Sequence, residues 1–480
     1  RIKSGMTISR LFTRPSKLNT ERNQLKLKIK YTKYNFVALI CFILIVPTVW
    51  FLSTRFEGER PCVTLELPSL SIKANQELSV SISDAKSGMR MMWIGIYKDG
   101  KEVVLLDKDF QSPEYKGEKI HKETFKIKIA PRKIGISDGK AILRIVARDF
   151  SWRGWWHGNK TYIEKNITID TMSPEIDVLS KAHNISQGGA ALAIYRLSEP
   201  CPKSGIYVGE NFFPGYSGYF KDPNVFIAFF ALSYDKGPKT EIFVKATDLA
   251  GNNAMAGLSY YIKKKTFKKD VINISDKFLS YKMPEFEIDA LSDSKISVLD
   301  KFLKINRNLR QSNYKQITEL GQTIDNVLYW NGPFQRLPKS ANRAGFADHR
   351  TYKYKGQTID QQVHLGIDLA SVTNSPVPAS NRGKVVFTGY LGIYGKTVIL
   401  DHGFGLLSMY SHLSSYNAQK DQIVLKGEII GRTGMTGLAG GDHLHFGILV
   451  HNTFVNPVEW WDATWIKNNI SSKINDAKSG

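Results

Sequence analysis

The chain has 480 residues, enough for several domains with cores of their own, and a formal net charge of +22. Residues 1–33 hold ten lysines and arginines and a single acidic residue, so about nine of the positive charges lie in this short segment. Such a balance suits an anionic partner, such as a membrane surface or an acidic polymer. Nucleic acid is disfavoured because the sequence has no basic recognition helix and no aromatic stacking motif. Three cysteines are too few for a disulfide framework.

The first predicted element is a transmembrane helix over residues 34–54, preceded by a basic cytoplasmic tail over residues 1–33. Residues 36–52 are apolar and carry no charge, which is close to the lower limit for crossing a bilayer. A cleaved signal peptide is the alternative, but the preceding tail is long and no small-residue cleavage site follows. The basic tail predicts a cytoplasmic N-terminus, with everything after about residue 55 outside.

Residues 62–264 show short alternating strands separated by turns rich in Gly, Asp, Asn and Ser. Residues 145–149 are echoed 99 positions later by residues 244–248. This period matches an immunoglobulin-like sandwich, and the ending ATDLAGN of the second copy resembles bacterial Ig-like modules. We therefore predict two tandem sandwiches, over residues 62–171 and 172–264, with a single larger β-domain as the alternative.

The stretch 265–329 changes to a helical period and is predicted to be a helical linker. Apolar residues recur at helical spacing after the cap-like pair Ser297 and Asp300. The positions that define two stripes, one before and one after Asn313, are Val298, Phe302, Ile305, Leu309, Ile317, Leu320 and Ile324. They predict a short antiparallel helical hairpin.

From residue 330 the strand pattern returns, with frequent glycine at tight turns and links too short for helices. This pattern predicts a small β-barrel or sandwich over residues 330–465, followed by a C-terminal tail over residues 466–480. The predicted fold class of the whole chain is mainly β.

Six of the ten histidines lie between positions 364 and 451. If residues 443–445 form a strand, His443 and His445 share one face and point to one spot. A catalytic zinc needs three protein ligands and an open position, and further candidates are His364, Asp368 and His412. A lone strand histidine is usually structural, but four with an aspartate in glycine-flanked segments favour a metal site.

A non-haem iron site with two histidines and a carboxylate is a second interpretation of this cluster. In that class the carboxylate usually lies two residues from the first histidine, whereas Asp368 lies four from His364. We place His349, His402 and His451 at turns or on the surface.

The motifs His364-x-x-x-Asp368, His412 and His443-x-His445, in this order, resemble the zinc endopeptidases of the lysostaphin (LytM) type. The surrounding segments over roughly residues 330–465 fit as well. The resemblance implies the duplicated hybrid motif of that family. It also implies one zinc ion per chain held by His364, Asp368 and His445, with His412 and His443 as catalytic residues beside a metal-bound water. All five positions are intact, as in active members.

The resemblance implies an enzyme that cuts peptide stems or cross-bridges of peptidoglycan. With the predicted anchor, it would face the periplasm from the inner membrane of a Gram-negative-type cell, where a periplasmic regulator could also act on it. The alternatives are a non-enzymatic wall-binding or amidase-activating protein and, with less support, an iron oxygenase.

Overall fold

The computed structural model describes residues 17–67, 69–111, 120–287, 296–321 and 325–479, with side chains from residue 33 onwards except at position 54. Residues 1–16 of the predicted tail and the stripe residue Ile324 lie outside these ranges. The chain divides into two compact units, Arg1–Thr171 and Met172–Gly480. Strands dominate both units, so the mainly β prediction is confirmed.

The first unit begins with the long helix α1 (Lys17–Arg55). Within it, Lys33–Ser53 has a mean hydropathy of 2.6, and its described side chains are exposed. Pro47 lies inside the helix. Among the described residues, this helix is long and apolar enough to cross a membrane. A signal sequence would meet the same criteria of length and composition.

After α1 the first unit forms a two-sheet sandwich with its own core. One sheet has the order β1-β3-β6 and the other the order β2-β8-β7-β4-β5. Alternate residues of β3 and β7 are buried between the sheets, as the period of two requires. The elements are β1 (Cys62–Glu66), β2 (Ser71–Ile72), β3 (Gln76–Ser83), β4 (Met89–Lys98), β5 (Lys101–Asp109), β6 (Lys122–Ile129), β7 (Gly139–Asp149), the short turn α2 (Arg153–Trp156) and β8 (Lys160–Ile169).

The second unit opens with another set of strands. These form sheets of order β14-β11-β9 and β13-β12-β15-β16, and a parallel pair β10-β17. The elements are β9 (Ile176–Val178), β10 (His183–Ser186), β11 (Ala190–Leu197), β12 (Lys203–Val208), β13 (Asn211–Pro214), β14 (Val225–Ala231), β15 (Ile242–Thr247), β16 (Asn253–Gly257) and β17 (Tyr260–Lys263). The immunoglobulin-like character of both strand sets stays a prediction.

The stretch predicted to be a helical linker differs from the expectation in two ways. It begins with a strand, β18 (Lys269–Ile274), which pairs in parallel with β20 (His349–Tyr354). The two apolar stripes then lie on one continuous helical segment, not on two helices: α4 (Val298–Lys304), a π-helical turn (Ile305–Leu309) and α5 (Arg310–Leu320). A separate short helix, α3 (Asp276–Lys282), precedes them.

Asn313 does not break this helix, because its side chain has partners elsewhere. Its Oδ1 accepts a hydrogen bond from the backbone N–H of Ile393, 2.9 Å away, and its Nδ2 donates to Gln316. A buried asparagine that is satisfied in this way is tolerated inside a helix.

The C-terminal part of the second unit is built on one large sheet of order β19-β22-β30-β26-β25-β24-β28, with β31 paired to β30. Smaller sheets of order β18-β20-β21 and β23-β29-β27 flank it. The strands are β19 (Ala341–Ala344), β20 (His349–Tyr354), β21 (Gln357–Val363), β22 (Ile367–Ala370), β23 (Pro376–Pro378), β24 (Gly383–Tyr390), β25 (Lys396–Asp401), β26 (Leu406–Leu413), β27 (Ser415–Tyr416), β28 (Ile423–Val424), β29 (Ile429–Arg432), β30 (Leu444–Val450) and β31 (Thr453–Val455). Strand β30 is buried along its whole length and lies between β22 and β26.

The chain ends in helices, although residues 466–480 were predicted to be a tail. The elements are α6 (Pro457–Trp461), α7 (Ala463–Ile466), a π-helical turn (Lys467–Ser471) and α8 (Ser472–Ser479). Ile466, Ile470 and Ile474 are buried, and Lys473 Nζ donates to the carbonyl of Leu192. Their spacing of four residues is the stripe that a helix packs against a core.

One continuous apolar core joins the second strand set to the large sheet. At its centre the fully buried Trp460 lies near Phe229 of β14 and Trp330, with ring centroids 6.2 and 5.6 Å apart. The predicted boundaries at residues 265 and 330 therefore lie inside one compact unit.

Candidate metal centre and catalytic residues

The large sheet brings Asp368 and His445 together, because they are direct partners in the antiparallel pair of β22 and β30. Directly opposite residues have Cβ atoms about 5 Å apart and point to the same face. His364 lies three residues before the start of β22, and its ring contacts the side chains of Asp368 and His445. Gly366 permits the approach, since a Cβ there would lie 2.5 Å from the His445 ring.

Three side-chain atoms converge at this point. His364 Nε2 lies 2.9 Å from Asp368 Oδ1 and 3.0 Å from His445 Nδ1, and His445 Nδ1 lies 3.0 Å from Asp368 Oδ1. In a tetrahedral site with zinc bonds of about 2.0 Å, ligand atoms are separated by about 3.3 Å. The triangle of donor atoms therefore has nearly the size that a zinc ion requires.

The tautomers fit a metal as well. His364 Nδ1 lies 2.8 Å from the carbonyl oxygen of Gly345, which can only accept, so this nitrogen carries the proton and Nε2 offers a lone pair. His445 Nε2 is buried without a hydrogen-bond partner in the described part of the chain, which leaves Nδ1 as the atom facing the site. Two imidazole lone pairs and a carboxylate oxygen are a set that suits zinc.

His412 and His443 lie beside these three residues. The His443 Nε2 atom is 3.6 Å from Asp368 Oδ1, and the His412 ring centroid is 4.9 Å from that of His443 and 5.8 Å from that of His445. Each ring donates its Nδ1 proton to a carbonyl at 2.8 Å, of Thr436 for His412 and of Gly441 for His443. Both rings therefore carry a lone pair on Nε2 when neutral.

His412 reaches the site through a β-bulge. Ser411 and His412 of β26 stand opposite the single Thr397 of β25, and His412 adopts a φ of 61°. Ser411 is the cross-strand partner of His445, so in a regular strand His412 would point away from the site. The extra residue turns its ring back, and the left-handed backbone is a strain that such sites commonly hold.

The pKa values of the residues in the cluster shift in different directions. Burial would raise the pKa of Asp368, but the rings of His364, His443 and His445 bring it well below its usual range. Burial lowers the pKa of His445 to about 4, and burial together with His443 lowers that of His412 well below 6.5. Burial opposes protonation of His443 too, yet the neighbouring Asp368 raises its pKa overall.

Sequence reasoning missed Arg350. Its Nη2 donates to Asp368 Oδ2 at 2.8 Å, and both side chains are largely buried. This contact leaves Oδ1 of Asp368 for the convergence point and fixes the orientation of the carboxylate. Arg350 reaches the site from β20, a strand whose neighbours in space could not be inferred from local pattern.

Sequence reasoning also missed Lys282. Its side chain is 1% exposed, pairs with Glu285 at 2.8 Å and donates to the carbonyl of Met435. Met435 adjoins Thr436, the residue that holds the His412 ring. Helix α3 is thereby tied to the loop that positions a catalytic candidate.

All five candidate residues line a cavity of about 340 Å³. Part of its wall comes from residues that precede position 330, among them Ile272, Ile274, Phe278 and Phe302. A larger cavity of about 930 Å³ elsewhere in the second unit contains none of the five. The smaller cavity is therefore the candidate site, because the ionisable groups converge there.

The three histidines placed at turns or on the surface do not line this cavity. His451 lies in the turn between β30 and β31 and His402 in the loop between β25 and β26, as placed, but both side chains are buried. His402 is held by the carbonyl of Arg382 and the hydroxyl of Ser408, at 2.8 and 2.7 Å. The His451 ring stacks on Tyr216. His349 is exposed on β20, as expected.

The family model of peptidase family M23 matches residues 362–457, which include all five candidate residues. These residues form an M23 peptidase domain of the lysostaphin type. The resemblance stated from the motifs is thereby confirmed, and peptidase is the activity class that the family supports.

Curated relatives match part of the chain. The chain is 40% identical over 97 residues to the DD-carboxypeptidase/endopeptidase Mpg of Neisseria meningitidis, covering 20% of this chain and 22% of that protein. It is 36% identical over 96 residues to the peptidoglycan DD-endopeptidase ShyA of Vibrio cholerae, covering 20% and 22%. The chain thus spans about a fifth of the length of these relatives.

Among solved structures, the catalytic domain of lysostaphin from Staphylococcus simulans is 28% identical. The alignment covers 27% of this chain and 98% of that one, with a TM-score of 0.24.

Proposed function

We propose that this chain is a membrane-anchored zinc endopeptidase that hydrolyses peptide cross-links of bacterial peptidoglycan. The observation that carries the proposal is the convergence of the three donor atoms of His364, Asp368 and His445 within 3.0 Å of one another. His412 and His443 face the same cavity. A degenerate relative that only binds the wall or activates an amidase would not need this complete set.

Zinc held by His364, Asp368 and His445 would supply a water of lowered pKa and polarise the scissile carbonyl. Arg350 keeps Asp368 oriented for this role, and the Gly345 carbonyl keeps His364 in the tautomer that offers Nε2. Outer contacts of this kind commonly tune a metal site.

The proton work falls to His412 and His443, because no glutamate lines this cavity among the residues that the structure describes. With Nδ1 of each ring held by a carbonyl, Nε2 is the atom that exchanges protons with water or substrate. One ring accepts the proton of the attacking water. That ring then passes the proton to the leaving amine, while the other ring, when protonated, hydrogen-bonds the developing oxyanion through its Nε2–H. Each such residue typically contributes about 10²- to 10⁴-fold in rate.

The basic N-terminal segment and helix α1 support the proposed location. The apolar segment Lys33–Ser53 would cross the inner membrane, with the basic residues before it in the cytoplasm and the M23 domain in the periplasm. An anchored enzyme would stay beside the wall polymer. Relatives named as peptidoglycan DD-endopeptidases support this substrate class.

The proposal is tested by incubating the full-length protein, purified with zinc in detergent, with isolated sacculi and separating the products. We expect cross-linked dimers to decrease and monomers to increase. His445→Ala should abolish the change, whereas His157→Ala, an exposed histidine of the first unit, should leave it intact. Unchanged muropeptides with the wild-type protein, together with stimulation of a purified amidase, would favour the non-enzymatic alternative.

A further inference from the structure

A second cluster of ionisable residues lies far from the M23 domain in sequence, in the first unit. Glu57 follows the end of helix α1, Asp84 follows β3, and Asp149 ends β7. All three side chains are buried, with exposed fractions of 4, 5 and 0%. One oxygen from each carboxylate lies within 4.8 Å of the other two.

The carboxylates are oriented by hydrogen bonds from neutral groups. Glu57 Oε1 accepts from the Ser87 N–H at 2.7 Å, and Asp84 Oδ2 accepts from the Gly88 N–H at 2.6 Å. Asp149 Oδ1 accepts from the Asn159 N–H at 2.7 Å and Oδ2 from its side-chain amide at 2.8 Å. These donors orient the carboxylates but add no positive charge.

One oxygen of the cluster is left over. Glu57 Oε2 is buried and meets no hydrogen-bond donor among the residues that the structure describes. A buried carboxylate oxygen without a partner costs free energy unless a cation or a proton satisfies it. This oxygen therefore needs a proton or a cation, and two further carboxylates lie close to the same side chain.

The pKa shifts agree with this geometry. Burial raises the pKa of Glu57, and the nearby Asp84 and Asp149 carboxylates raise it further. Burial also raises the pKa of Asp149, and three neutral hydrogen bonds from Asn159 and Ser151 do not offset it. Three carboxyl groups so close cannot all ionise in a buried site without a positive partner.

We propose that Glu57, Asp84 and Asp149 bind a calcium ion. The cluster offers only oxygen atoms, which hard cations prefer and which zinc or copper do not select. Calcium accepts six to eight oxygen ligands in flexible geometry, whereas magnesium usually keeps several of its waters. A buried site built from protein oxygens therefore fits calcium better.

A calcium ion at this position would connect the segment after α1 to the sandwich. The segment after α1 is already tied to the loop between β7 and β8. Trp152 N and Ser151 Oγ contact the Arg55 carbonyl at 2.6 and 3.1 Å, and Asn159 Nδ2 donates to the carbonyls of Glu57 and Glu59. Calcium would add a link between this segment and two sandwich loops. The end of the membrane-length helix would then be fixed to the sandwich.

The test is calorimetric titration of CaCl₂ into the full-length, zinc-loaded protein in detergent, alongside the variants Glu57→Gln and Asp84→Asn. We expect each variant to bind calcium at this site at least tenfold more weakly than wild type. Glu102→Gln removes one exposed carboxylate of the same sandwich and should bind as wild type does. Thermal unfolding should show the same order, with calcium raising the midpoint for wild type and Glu102→Gln alone.

Two results would overturn the proposal. Wild-type protein that shows no heat and no shift of its unfolding midpoint at millimolar CaCl₂ would mean that the carboxyl groups are satisfied by protons. Equal affinity for MgCl₂ would refute the choice of calcium. Should Glu57→Gln fail to fold, Asp84→Asn and the wild-type titration still decide.

Discussion

Glu459 provides a quantitative test of the packing between the M23 domain and the strands that precede it. The residue lies in α6, and its carboxylate accepts a hydrogen bond from the Ala190 N–H of β11 at 3.1 Å. Burial raises its pKa from 4.5 to about 7. The interface therefore favours the protonated acid.

The magnitude follows from the shift. An unfolded chain ionises Glu459 above pH 4.5, whereas the folded chain holds the proton up to about pH 7. The free energy of unfolding therefore falls as pH rises between these values, because the folded state binds the extra proton. At 1.36 kcal/mol per pKa unit, the loss is at most about 3 kcal/mol above pH 7.

The variant Glu459→Gln cannot ionise, yet it keeps an oxygen that can accept from Ala190. We expect it to raise the free energy of unfolding at pH 8 by up to about 3 kcal/mol and to change it little at pH 4.5. Urea unfolding of the full-length protein, followed by tryptophan fluorescence, measures both values, and the adjacent Trp460 is a suitable reporter.

Glu241→Gln is the matched control, since it removes an exposed carboxylate of the same unit. It should change stability by less than about 0.5 kcal/mol at either pH. An equal effect of Glu459→Gln at both pH values would refute the reasoning, and so would destabilisation at pH 8.

Three further outcomes are expected. Arg350→Gln removes the guanidinium that holds Asp368, so zinc affinity in a competition with a chromogenic chelator should fall roughly 10- to 100-fold; unchanged affinity would show that the contact is incidental. Phe278→Ala opens the wall of the cavity and should raise turnover of cross-linked muropeptides more than that of a short soluble peptide, whereas equal changes would show that the wall does not select by size. Protease added to spheroplasts should remove the M23 domain and spare residues 1–33, and resistance until the membrane is lysed would reverse the orientation.

Much of the candidate metal centre could be predicted because its signals are local. The two-residue spacing of His443 and His445 places both on one strand face. The four-residue spacing of His364 and Asp368 is the second part of the motif. These are properties of a few neighbouring residues. The structure places all of them around one point.

The remaining features of the site depend on contacts that are distant in sequence. The bulge that turns His412 into the cavity depends on Thr397 of another strand, so no local pattern reveals it. Arg350 reaches Asp368 because β20 is held between β18 and β21. Phe278 was assigned to a linker, since its role in the cavity wall appears only once α3 packs against the domain.

The errors in the helical regions have a similar origin. An asparagine after an apolar stripe favours a turn when its partners are unknown, but Asn313 is satisfied by Ile393, eighty residues away. Near residue 470, Ile466, Ile470 and Ile474 form an apolar stripe at helical spacing. Most of the residues between them are polar, so the segment as a whole resembles an exposed tail.

The most direct test of the account is the zinc content of two variants that differ only in which histidine of one strand is removed. Elemental analysis of purified full-length protein should find about one zinc per chain in wild type and in His443→Ala, and almost none in His445→Ala. His443→Ala should nevertheless lose about 10²- to 10⁴-fold in the hydrolysis of cross-linked muropeptides. Zinc retained in His445→Ala but lost from His443→Ala would contradict the assignment of ligand and proton carrier, and stoichiometric iron in place of zinc would contradict the metal itself.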